Sequence, residues 1–189
     1  TGTAFVPPID PGKYGDGGGA TAAQLGVDPN QLGTLDKSAV GNLATSAVGN
    51  LDKSQLGNLD AGAVGGLSKD QVAGLNPTAL GGFKKDQVAG LDATAVGGFS
   101  KDQVAGLDAT AVGGFSKDQV AALDPNAMAG FKKDQVAGMD ATAVGGLTSA
   151  QMTALDPTAM GGFKKDQVAG MNATAVGGLT SAQMTALDP

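Results

Sequence analysis

The sequence predicts a repeat solenoid, all-α in class, built of very short helical turns with sixteen residues (two octads) per coil; a β-solenoid is the alternative. Three observations carry this reading. Apolar residues recur every eight positions through most of the chain. Most octads open on a helix-capping residue. The chain is rich in Ala, Gln, Lys and Met, which prefer helix to strand.

The period comes first. From Asp28 one apolar series runs Leu32, Val40, Val48, Leu56 and onward by eights to Met184. A second series lies three residues later and runs Leu35, Leu43, Leu51 and onward to Leu187. Residues 28–187, 160 in all, therefore hold twenty octads without an insertion. Two apolar positions three apart share one face of a helix. On a strand they would point to opposite faces, unless Gly–Gly made a corner between them. The core ladder expected from the two series includes Val72, Leu75, Leu80, Phe83, Val88, Leu91, Val96 and Phe99.

The caps come next. From residue 68 two octad types alternate, SKDQVAGL-like (68–75, 84–91, 100–107) and DATAVGGF-like (76–83, 92–99, 108–115), which suggests a sixteen-residue unit with two unlike edges. Ser68 with Gln71, and Thr148 with Gln151, have the spacing of a capping box. Asp28–Pro29, Asn76–Pro77, Asp124–Pro125 and Asp156–Pro157 place a cap before a proline at the first helical position. Gly or Ala between the apolar positions is read as ending the turn and letting backbones approach closely. One such turn does not stand alone in water, so burial must come from neighbouring coils and folding must be cooperative. Ten coils of sixteen residues would span roughly 90 Å with helical layers, or roughly 50 Å with β layers.

The ends differ from the array. Residues 1–19, with Pro7, Pro8 and Pro11 and with Gly15, Gly17, Gly18 and Gly19 as the joint, read as an extended tail and hinge. Phe5, Val6, Ile9 and Tyr14 suit a docking arm on a neighbour. Residues 20–27 read as a degenerate capping octad. Asp188–Pro189 opens a further octad, and the chain starts on Thr1, so a processed chain or a fragment of a longer one is expected.

Composition excludes much chemistry. Every acid is Asp and every base is Lys; His, Cys, Trp, Arg and Glu are absent. The commonest general base, thiolate nucleophiles and bidentate phosphate clamps are therefore missing. A net charge of -6 disfavours nucleic acid and anionic membranes. No apolar run approaches the roughly 20 residues needed for a membrane span. Asp70, Asp86, Asp102, Asp118, Asp134 and Asp166 recur every sixteen residues and suggest either a cation stripe or a solvated edge beside lysines. Thr78, Thr94, Thr110, Thr142, Thr158 and Thr174 form a second such series, suited to ordering water or to starting helices. The six methionines replace Val, Leu or Phe in register and read as core. No Gly-rich segment has the frame of a phosphate loop. Twenty near-equal environments leave no unique active site, so no enzyme, cofactor or metal centre is expected.

TSAQMTAL and KKDQVAGL resemble the T-x-x-Q-V-x-x-L octapeptide repeats of very large bacterial surface and secreted proteins, over residues 28–187. The Gly–Gly octads depart from that pattern. The resemblance implies a spacer, stalk or filament. The unbroken repetition, the N-terminal arm and the truncated final octad lead to the expectation of an extended rod outside a bacterial cell or on its surface, or part of a virus-like particle. Its partners would be further copies or filament neighbours, joined end to end through the N-terminal arm. The alternative is an adhesin-like module binding ice or carbohydrate.

Overall fold

A computed structural model describes residues 28–187, the twenty octads. The expected tail (1–19, with Phe5, Val6, Ile9 and Tyr14) and the expected capping octad (20–27) lie outside the described residues. Octads are numbered here from residue 28, so octad 1 is 28–35 and octad 20 is 180–187.

Each octad folds into one short helical segment, and there is no strand among the described residues. From octad 6 onward the even octads form six-residue α-helices, as in Lys69–Gly74 and Lys101–Gly106. The odd octads form shorter segments. Ala93–Val96 and Ala109–Val112 are four-residue α-turns, while Ala63–Gly66 and Ala79–Gly82 are 3-10. The repeating unit is thus a sixteen-residue pair of unlike helices.

The caps explain where the segments start. In octad 10 the Ser100 hydroxyl accepts from the Gln103 N–H at 3.3 Å, and Gln103 Oε1 accepts from the Ser100 N–H at 2.9 Å. Lys84, Lys132 and Lys164 stand at the same position without an acceptor, so only the Gln half of the box forms there. In odd octads the Asp carboxylate accepts from the N–H two residues on, as Asp92 does from Thr94 at 2.9 Å. Pro125 and Pro157 follow such caps, where a missing N–H loses no helical bond.

Glycine is the last residue of many segments, but it does not stop them by a left-handed turn. No glycine among the described residues has a φ in the left-handed region. Instead the last residue of the octad turns extended: Leu107 has φ -67° and ψ 142°, and its N–H returns to the Val104 carbonyl at 3.2 Å. The following cap, Asp108, is extended too, with φ -68° and ψ 142°. Two consecutive extended residues make each corner.

The eighth residue of the octad turns inward with the fifth. Val72, Leu75, Leu80, Phe83, Val88, Leu91, Val96 and Phe99 are all buried. The fourth residue joins them. From octad 5 onward it is Ala in the odd octads, where Ala95 and Ala111 are buried, and Gln in the even ones. The core is one continuous cluster along the array. Phe99 and Phe115 meet edge to face within it, with ring centroids 6.4 Å apart.

The sixteen-residue pair is the chemical repeat, but it does not close a coil. The packed helical segments lie three octads apart in sequence: Lys69–Gly74 stacks on Ala93–Val96, and Lys85–Gly90 on Ala109–Val112. The coil is therefore a triangle of 24 residues, where the sequence suggested sixteen, and the rod has three faces in place of two edges. Because three is odd, each even octad stacks on odd ones. Face and octad type recur together only after six octads, or two coils. Twenty octads make just under seven coils, roughly 60 Å long at helix–helix spacing.

Candidate functional site

The feature repeated most strictly is a buried glutamine at the fourth position of every even octad from octad 6. Gln71, Gln87, Gln103, Gln119, Gln135, Gln151, Gln167 and Gln183 are each 1–3% exposed. The side chain works in two directions. Its Oε1 accepts from its own cap, and its Nε2 reaches into the preceding coil. Gln103 Nε2 donates to the Val72 carbonyl at 2.8 Å and the Leu75 carbonyl at 2.7 Å. Gln151 makes the same pair with Val120 and Leu123, each at 2.7 Å. At these helix C-termini the glutamine two sequence pairs later gives the Leu75 and Leu123 carbonyls their donor, and gives Val72 and Val120, which already accept from the N–H three residues on, a second one. No buried side-chain nitrogen or oxygen among the described residues lacks a partner.

Sequence reasoning found the local half of this ladder, the capping box, and missed the inter-coil half. The available signal was that Gln never varies at that position, although an N-cap hydrogen bond alone does not demand it. Asn172 makes a related link: replacing the usual Asp, its Nδ2 donates to the Gly145 and Leu147 carbonyls, both at 2.9 Å. Asp has no donor for this.

Glycine supplies the second inter-coil contact. At the seventh position of octads 5, 7, 9, 11, 13, 15, 17 and 19 it is invariant. A Cβ on Gly98 would overlap the Lys69 carbonyl oxygen, and one on Gly114 the Lys85 carbonyl oxygen. Backbone meets backbone there, which only glycine permits. In these octads the sixth position is tight at Gly65 and Gly113, where a Cβ would come 2.8 Å from a backbone carbonyl oxygen, and more forgiving elsewhere. A Cβ on Gly97 would stand 3.1 Å from the Ala122 carbonyl, and octad 13 carries Ala129 in that place.

The surface series scatter. With three octads per coil, residues sixteen apart pass from face to face. Asp70, Asp118 and Asp166 share one face but lie two coils apart, and so does each such set. Among the described residues no three acidic side chains come together to hold a metal ion. The Thr series is spread in the same way, so Thr94 and Thr142 are two coils apart on their face. Thr94 and Thr110 bond the carboxylates of Asp92 and Asp108, and Thr158 Oγ1 reaches Asp156 at 2.6 Å. These bonds, from the threonine hydroxyl and N–H, hold Asp92, Asp108 and Asp156 below the ordinary aspartate range. Asp140 is lowered chiefly by the Thr142 N–H and then by its hydroxyl. These carboxylates are helix caps by geometry. Met128, Met139, Met152 and Met160 are buried in register, while Met184 is 55% exposed in the last octad.

An open groove between layers is lined by Lys53, Ser54, Gly57, Asn58, Gly81, Gly82 and Lys84. It follows the bare Gly81–Gly82 backbone, and no buried polar side chain points into it. Among the described residues no helix is long and apolar enough to cross a membrane. In comparisons with known proteins, no family model and no curated protein matches the chain.

Proposed function

We propose that the chain is a structural protein, an extended rod that serves as a spacer, fibre or surface filament outside a bacterial cell. The observation that carries this is the Gln ladder. Every coil from octad 6 onward is tied to an earlier one by the same buried hydrogen bonds, with no octad set apart for chemistry. Such an array is quasi-one-dimensional, and its length grows with repeat number. The likeness of TSAQMTAL and KKDQVAGL to octapeptide repeats of bacterial surface proteins supports the extracellular setting. In this reading the arm at residues 1–19 links neighbouring rods end to end.

Small-angle scattering of the full chain tests the shape. A globule of this length has a radius of gyration of about 16 Å, and the rod must exceed it clearly, with a cross-section that stays constant along its length. A compact sphere would sink the reading. The adhesin or ice-binding alternative draws no support from the faces, since the threonines form no continuous column.

A further inference from the structure

The readily oxidised side chains of this protein are confined to one part of it. The chain has no cysteine, tryptophan or histidine, and its one tyrosine, Tyr14, stands outside the octads. Methionine remains, and all six methionines lie in octads 13–20. The fifth and eighth positions of octads 1–12 hold only Leu, Val and Phe. Those residues fill the same places in register, so the fold itself does not call for sulfur there.

Stacking then gathers four of the six. Octad 13 packs on octad 16, and octad 14 on octad 17. Met128 and Met152 belong to the first pair, Met139 and Met160 to the second. Met139 is 5% exposed and the other three are 0% exposed. Within octads 1–17 no other stacked pair has methionine on both sides. One seam between two coils thus holds four buried thioethers. The buried polar side chains of this region, Gln135, Gln151 and Gln167, already spend their Nε2 groups on two carbonyls each. Gln167 holds the Met139 carbonyl itself, at 2.7 Å. A sulfoxide oxygen formed in the seam is a strong acceptor with no side-chain donor left to meet it.

We propose that Met128, Met139, Met152 and Met160 form an oxidant-sensitive seam, which a peroxide opens by converting them to sulfoxides while octads 1–12 stay folded. Each thioether sulfur takes one oxygen atom from the peroxide. An S–O bond forms, the O–O bond breaks, sulfur gives up two electrons, and hydrogen peroxide leaves as water. Because the sulfurs are buried, the reaction passes through brief local opening of the coils. The first sulfoxide weakens the seam and speeds the next.

The test uses the full chain and hydrogen peroxide, at concentrations that convert free methionine completely. Peptide mass spectrometry should find sulfoxide at all four positions. Hydrogen exchange in octads 13–17 should then speed up about a hundredfold, while octads 6–9 exchange as before. A Met171→Leu/Met184→Leu chain, which keeps sulfur only in the seam, should open in the same way. A chain with Met128→Leu, Met139→Leu, Met152→Leu and Met160→Leu, a volume-conserving change, should hold octads 13–16 closed in peroxide. Four sulfurs that stay unreacted in the folded chain overturn the proposal. So does an oxidised seam that keeps its protection, or a loss that reaches octads 6–9 equally; these outcomes are read on the parent chain and need no variant.

Discussion

Octads 2 and 3, DKSAVGNL and ATSAVGNL, and octads 10 and 11, SKDQVAGL and DATAVGGF, reach the same fold by different means. Val40 and Val48 are as fully buried as Val104 and Val112. The early pair has two five-residue helices, Ala39 and Ala47 at the fourth position, and Asn42 and Asn50 at the seventh. The later pair has a six-residue and a four-residue helix, Gln103 and Ala111, and Gly106 and Gly114. The fold of an octad therefore needs only the two apolar positions and a segment that starts cleanly. Gln and Gly–Gly add something separate, the strength and closeness of attachment between coils.

The largest effect expected from that difference lies in the ladder. Gln103→Glu keeps the size of the side chain and removes its donor, so the Val72 and Leu75 carbonyls face an acceptor. The Val72 carbonyl keeps the Leu75 N–H, but the Leu75 carbonyl loses its partner beside an added buried charge, which should cost at least about 3 kcal/mol. Hydrogen exchange should show the opening centred on octads 6 and 10. If denaturant melts and exchange barely change, the ladder is not what joins the coils. Ala39→Glu in octad 2, where the fourth position is half-buried and no such ladder bond is made, should cost much less.

Glycine comes second. Gly114→Ala pushes a methyl into the Lys85 carbonyl, and overpacking of this kind costs about 1–3 kcal/mol. Gly81→Ala, at the sixth position of octad 7, where a Cβ would stand 3.5 Å from the Gly106 carbonyl, should come out near neutral, because helix propensity repays about 0.5–1 kcal/mol and Ala129 already occupies the matching place in octad 13. Equal losses at the two sites, read from thermal or denaturant unfolding, would show that conformational freedom and not space selects glycine.

Octads 10 and 11 also show how much the sequence revealed. The octad, its helical class and its two buried positions were legible, because periodicity and capping are local. The triangle was not. The alternation of SKDQVAGL with DATAVGGF suggested that two octads close a coil, whereas closure depends on the angle set by two extended residues, such as Leu107 and Asp108. Gln103 was legible as a capping partner of Ser100, and that explanation hid its longer reach to Val72. Gly114 was read as ending the turn and letting backbones approach closely, but the backbone it meets, that of Lys85, lies 29 residues away and is identified only once the stacking is known. The acid and threonine columns dissolved for the same reason: a column needs the coil length, not the repeat length.

Ala44 offers a smaller test of the comparison. It caps Thr45–Gly49 with no side-chain hydrogen bond, whereas Asp108 serves octad 11 through the Thr110 N–H at 2.8 Å. Ala44→Asp should stabilise octad 3 by about 0.5–1 kcal/mol, and Asp108→Ala should destabilise octad 11 by about the same. Slowed exchange of the amides at the start of Thr45–Gly49 would check the first. No change there would mean that stacking alone sets the start of that helix.

Acid should loosen the later octads gently, and the sign follows from the caps. Asp92, Asp108, Asp140 and Asp156 are held below the ordinary aspartate range by hydrogen bonds from the threonine two residues on. The folded chain then binds fewer protons than the unfolded chain near and just below that range. The stabilisation is fully present above the unfolded value and fades as pH falls through the lowered folded values. Between neutrality and mild acidity these four groups contribute no change. They are solvent-exposed, which screens the effect and makes it the smallest expected here. Replacing all four by Asn keeps an oxygen acceptor for each cap and removes the titration. The helical signal of that variant should fall less steeply in strong acid than that of the parent chain. Superimposable acid titrations would show that the caps hold their N–H partners equally well with the proton on.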